Sequence, residues 1–126
     1  MTEEVIPEDV RNFVMQKIDS VAQLECLLLL RAKPKDRWSA QDTAKNLYIS
    51  EEKANELLQQ LAVQGLFKIE NPSLFYYQPA SENMRDTVDR LAIIYSKYLL
   101  PVTHLIHSKS KTRIKEFADA FRIRKD

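Results

Sequence analysis

The chain has 126 residues, 44% hydrophobic and 29% charged, with a net charge of +1, which is the size of one domain and the composition of an ordinary folded protein. Its single cysteine excludes an internal disulfide; its single glycine, Gly65, excludes phosphate-cradling loops, dinucleotide fingerprints and nucleophile elbows, all of which need several glycines at fixed spacing. The apolar run Leu27 to Leu30 is far too short to cross a bilayer, and the acidic start MTEEVIPEDV is unlike a secretory signal, so a cytoplasmic protein without enzyme chemistry or cofactor is expected.

From Glu8 to Ile18, Val10, Phe13, Val14 and Ile18 recur at helical spacing behind Pro7, whose missing amide costs nothing in a first turn. Asp19-Ser20 interrupts this pattern. Ser20 with Gln23 forms a capping-box signature opening an apolar helix from Val21 to about Ala32. Cys26 lies inside its LECLLLL run, where a small buried residue fits, so the thiol is expected to be structural. Pro34 pushes Lys33 out of helical conformation, which makes KPKDRW a connection.

Ser39 caps a short helix, Ala40 to Leu47, with Asp42 in its first turn. Ser50 caps the next, with Glu51 and Glu52 near its positive end. That helix carries Ala54, Leu57, Leu58 and Leu61 on one stripe and stops at Gly65, the residue suited to a left-handed position beyond a helix end. LFKIE and LFYYQ then flank NPS, which reads as a β-hairpin.

Ser81 caps a final long segment. Met84, Val88, Leu91, Tyr95, Tyr98, Val102 and Leu105 are spaced 4, 3, 4, 3, 4, 3, a heptad seam that Ile93, Ile94, Leu99, Leu100 and Ile106 widen. Pro101 predicts a kink or break near Lys97. Such a segment has more to bury than one small domain covers. Its partner is either the N-terminal helix or a second copy, and a homodimer through Val88, Leu91, Tyr95, Tyr98, Val102 and Leu105 is the favoured expectation. The closing amphipathic piece, Ile114, Phe117, Ala118 and Phe121, would fold back on the dimer or the hairpin. His104 and His107 share a helix face, but a zinc site needs further ligands and none follows at matching spacing, so no metal is expected. Tyr76, Tyr77, Tyr95 and Tyr98 are expected in core and interface rather than around a small molecule.

The expected fold class is mainly α with a small β-hairpin: an N-terminal helix over 1–19, a helix–helix–helix–hairpin domain over 20–80 and a C-terminal helical segment over 81–126. Within it, WSAQDTAKNLYISEEKANELLQQLAVQGLFKIE has a capped Trp-Ser entry, Ala44 in the short helix, a turn into Ser-Glu-Glu, a Leu-x-x-Leu core and Gly-Leu opening the hairpin. It resembles the winged helix-turn-helix domains of small prokaryotic transcriptional regulators. The likeness, Ser20 to Gln78, covers about half the chain and points to no one family.

In such domains the helix after the turn enters the major groove. Rotation of about 100° per residue, with the leucine stripe inward, sets Glu52, Glu56, Gln59 and Val63 at the centre of its outer face, flanked by Asn55 and Gln60, with Lys53 further round. The resemblance implies a dimeric regulator binding double-stranded DNA, with Lys53, Asn55, Gln59 and Gln60 reaching bases while Arg37, Lys45, Lys68 and the basic tail meet phosphates.

Charge complicates this expectation. Ser39 to Gln64 sets Lys45 and Lys53 against Asp42, Glu51, Glu52 and Glu56, a net of −2. Arg31 to Trp38 offers Arg31, Lys33, Lys35 and Arg37 against Asp36, a net of +3. The tail from Pro101 offers seven cations, from Lys109 to Lys125, against Glu116, Asp119 and Asp126, a net of +4. Phosphate neutralisation supplies most non-specific DNA affinity, and the helix pair supplies little of it. The alternative is a winged-helix protein-interaction module whose acidic outer face binds a basic protein partner without DNA.

Overall fold

A computed structural model describes residues 6–71 and 73–109. The elements run α1 (Glu8–Lys17), α2 (Val21–Ala32), α3 (Ala40–Leu47), α4 (Glu51–Val63), β1 (Phe67–Glu70), β2 (Leu74–Tyr77) and α5 (Glu82–Lys97), and residues 99–109 are helical as well, here called α6. The fold is mainly helical with a small antiparallel hairpin. The amphipathic piece from Ile114 to Phe121, and the tail cations beyond Lys109, lie outside the described residues.

Helix starts are set locally. The hydroxyls of Ser20, Ser39, Ser50 and Ser81 accept the amides of Gln23, Asp42, Lys53 and Met84 at 3.0–3.1 Å, each satisfying a donor that the first turn leaves without a helical partner. Gln23 answers from its own side chain, whose Oε1 accepts the Asp19 amide. The end of α4 is equally explicit. Gly65 sits at φ +84°, its amide donates to the Ala62 carbonyl and the Leu66 amide reaches back to Leu61, both at 3.0 Å. This paired closure folds Leu66 onto the core, where it is fully buried.

The core forms around α4. Ala54, Leu57, Leu58 and Leu61 are at most 1% exposed and face α2 and α3, where Leu24, Leu27, Leu30 and Cys26 are wholly buried. Each such leucine contributes about 1.5–3 kcal/mol relative to exposure. Burial pushes the Cys26 thiol up to about 12, so it is packing material rather than a nucleophile. In the hairpin, Phe67 opposes Tyr77 and Ile69 opposes Phe75, with Phe67, Phe75 and Tyr77 buried and Ile69 48% exposed, while Lys68 opposes Tyr76 on the outer side.

The connection KPKDRW does more than connect. Trp38 and Phe75 exchange both backbone hydrogen bonds at 2.8 Å, so a one-residue strand is added to the hairpin.

The C-terminal seam, expected to offer a dimer surface, is covered from within the chain. Val88, Leu91, Val102 and Ile106 are fully buried and Tyr95 and Leu105 nearly so, in one core with Val10, Phe13, Val14 and Ile18 of α1 and its C-cap. The amphipathic α1 carries an apolar stripe that must also leave water, and the two faces satisfy each other. Tyr98 alone of the six proposed dimer residues is exposed, because the helix breaks there: α5 ends at Lys97 and Tyr98 turns to φ −131°, ψ 57°. Pro101 offers no amide to the Lys97 carbonyl, which accounts for the break, while Val102 and Leu105 beyond it still join the same core.

Polar ties fasten these helices. Asp9 pairs with Arg90 between α1 and α5, and Arg31 meets Asp89 at 3.0 Å between α2 and α5. Lys109 is 5% exposed, and its Nζ donates to the carbonyls of Val14 (3.1 Å) and Ile18 (2.6 Å) and to Asp19 Oδ1 (3.1 Å). Its three donors are matched at the negative end of α1. Lys109 therefore belongs to the interior, not to a basic surface. Among the described residues no helix is long and apolar enough to cross a membrane.

A side chain at Gly65 meets only ordinary contacts, Ala80 Cβ at 3.5 Å and Met84 Cε at 3.6 Å, so its cost comes from the left-handed backbone. Gly65→Ala should lower stability by about 1–2 kcal/mol, read from the urea midpoint; an unchanged midpoint would refute the left-handed assignment. The Asp9 carboxyl is held below its ordinary 3.8 by the hydrogen bond from Arg90. A depressed folded-state pKa stabilises above the unfolded value, and that stability is lost as pH falls through the folded one. Asp9→Asn should therefore melt lower than the parent at pH 7, and the gap should narrow below pH 3.8 and close in stronger acid. A gap independent of pH would mean the pair is not formed.

Candidate nucleic-acid interface

Three pieces converge at one end of the helical core: the start of α3, the start of α4 and the hairpin tip. Ser39, Gln41, Glu51, Glu52, Asn55 and Ser73 line a shallow depression between them. The turn that sets this geometry is Tyr48-Ile49. Tyr48 adopts a left-handed conformation, φ 58° and ψ 46°, which lets the Ile49 amide reach the Ala44 carbonyl at 3.2 Å and aims α4 across α3.

With its leucines inward, α4 presents Glu52, Glu56, Gln59 and Val63 outward, all exposed and Val63 at 86%. This is the face expected from helical rotation. Asn55 and Gln59 are free to reach outward. Lys53 lies 3.4 Å from Glu56, so its charge is partly answered on its own helix. Gln60 is less available than expected: it makes long contacts of 3.5 Å with buried Gln23 on α2 and with Glu56, which turn it to the flank.

The flanking cations differ among themselves. Arg37 stacks on Tyr76 with its guanidinium carbon 3.8 Å from the ring centre, lies 3.2 Å from Glu70 and donates to the Lys35 carbonyl at 3.3 Å. It staples the loop before α3 to the outer face of the hairpin, beside the Trp38 strand. Lys45 on α3 and Lys68 on β1 are exposed, and no described carboxylate pairs with either. Lys33 and Lys35 are exposed on the same loop as Arg37. Exposed pairs such as Lys53–Glu56 and Arg37–Glu70 are worth at most about 1 kcal/mol, so an incoming phosphate can compete for these cations.

Of Tyr76, Tyr77, Tyr95 and Tyr98, two lie in the core, Tyr77 and Tyr95. Tyr77 is buried, and its hydroxyl, pushed up to about 12 first by burial and then by the Asp89 charge, has no hydrogen-bond partner among the described residues. Tyr95 is buried and donates to Glu25 Oε2 at 2.6 Å. Tyr76 lies under Arg37 and Tyr98 is exposed.

Two features were not legible in the sequence. Trp38 pairs with a residue far along the chain, and a single paired residue leaves no alternating pattern. Tyr48 occupies a position where glycine or asparagine would announce a left-handed turn. Comparison with known proteins finds no family model that matches the chain and no curated relative.

Proposed function

We propose that the protein is a winged-helix transcriptional regulator that binds double-stranded DNA. The observation that carries this reading is the Trp38–Phe75 pairing. It completes the order helix, short strand, helix, turn, helix and two-stranded wing, and it fixes the wing beside the start of α4. In this reading the outer face of α4 lies in the major groove, where Asn55 and Gln59 suit adenine and the carboxylates of Glu52 and Glu56 can accept from the cytosine amino group. Lys45, Lys68, Lys33 and Lys35 meet phosphates on either side. Arg37 holds the wing in place, and Lys53 exchanges Glu56 for the backbone. Such a protein works in the cytoplasm. A homodimer belongs to the proposal with a changed surface: a second copy would meet Ile93, Tyr98, Leu99 and Leu100, which are 44–63% exposed at the α5–α6 break.

Fold alone does not carry function, and one observation favours the interaction module instead. Two of the site's cations already have carboxylate partners, and exposed Val63 closes an otherwise acidic face, which suits a basic amphipathic protein segment.

Salt separates the two. DNA affinity should fall steeply with salt, with a log–log slope of about −0.9 for each phosphate contact, and Lys45→Gln and Lys68→Gln should each flatten it by about that amount. A flat response, or no binding to mixed duplex at low salt, would remove the DNA reading. Glu52→Gln with Glu56→Gln should bind DNA more tightly but less selectively, measured on a panel of duplexes. Unchanged affinity would place the face outside the groove.

A further inference from the structure

Tyr48 is 94% exposed, the most exposed of the large apolar side chains described. Its left-handed backbone is unfavourable for a residue with a Cβ, and a ring standing in water returns nothing through burial. Beside it runs a groove between α2 and the α3–α4 turn, with Ala22, Leu47 and Ile49 as apolar lining and Glu25 and Asn46 as its polar members.

Glu25 is not a loose surface carboxylate. Its Oε2 accepts from Tyr95, whose ring is 8% exposed and therefore anchored in the core, at 2.6 Å. The other carboxylate oxygen has no partner among the described residues. The Asn46 amide nitrogen is engaged with the Asp42 carbonyl at 3.0 Å, which leaves its side-chain oxygen as an acceptor. No lysine or arginine lines the groove. A held carboxylate, a spare amide oxygen, an open aromatic face and an apolar lining thus meet with no cation of their own.

We infer that this groove receives an arginine side chain from a protein partner. The guanidinium stacks on Tyr48 and pairs with Glu25, while its aliphatic stem lies over Ala22, Leu47 and Ile49. A planar guanidinium can use both the ring face and the carboxylate, which a lysine ammonium does less well. The site is independent of the DNA reading, because none of its residues lies on the outer face of α4.

The test uses the full chain and a capped Gly-Arg-Gly peptide, with Gly-Lys-Gly and Gly-Gln-Gly as controls, followed by amide chemical shifts. The arginine peptide should shift Glu25, Leu47, Tyr48 and Ile49, the lysine peptide should bind more weakly, and the glutamine peptide should leave them in place. Tyr48→Leu and Glu25→Gln should each weaken the arginine peptide by about threefold to tenfold. Tyr48→Asn should raise the melting temperature, since asparagine tolerates the left-handed backbone, yet lose binding in the same way; this separates the site from folding. Equal shifts with the glutamine peptide, shifts centred on Glu52 and Glu56, or full binding by Tyr48→Asn would overturn the inference.

Discussion

The rotation of α4 about its own axis is the constraint on which the candidate surface depends. Leu57, Leu58 and Leu61 are held inward against α2, and the closure at Gly65 brings Leu66 in behind them. Once those side chains are buried, helix geometry leaves Glu52, Glu56, Gln59 and Val63 no other direction than outward. The acidic character of the presented face is therefore a consequence of packing. Changing it requires new residues, not a new rotamer.

The same core gives the hairpin its place. Phe67, Phe75 and Tyr77 cover it, and Trp38 joins their strand from the loop before α3. Arg37, the neighbour of Trp38, is thereby carried to the other side of the strand, onto Tyr76 and Glu70. A residue that composition alone makes a candidate phosphate contact becomes a clamp between loop and hairpin. Exposed Lys33, Lys35, Lys45 and Lys68 are left without a carboxylate partner among the described residues.

The C-terminal helices show how periodicity and partner choice separate. The seam from Val88 to Leu105 is apolar at the right spacing, and spacing says that something must cover it. It does not say what. Here α1 covers it, and Asp9–Arg90 and the buried Lys109 ammonium fasten the arrangement. Tyr95 is the exception that reaches out of the seam: its hydroxyl holds Glu25 of α2, so a packing helix helps to arrange a surface groove.

What the sequence determined by itself is whatever rests on near neighbours. Ser20, Ser39, Ser50 and Ser81 each cap through an amide three residues away, Gly65 ends α4 through bonds within one turn, and Pro101 leaves the Lys97 carbonyl four residues back without an amide, where the helix breaks. The direction of the α4 stripe follows from the same local periodicity. Only the tertiary structure decided what pairs across distance: Trp38 with Phe75, Tyr95 with Glu25, Lys109 with the end of α1, and the seam with α1. Burial makes such choices by excluding water from complementary surfaces, and a residue's own neighbours in sequence carry no record of which distant surface will arrive.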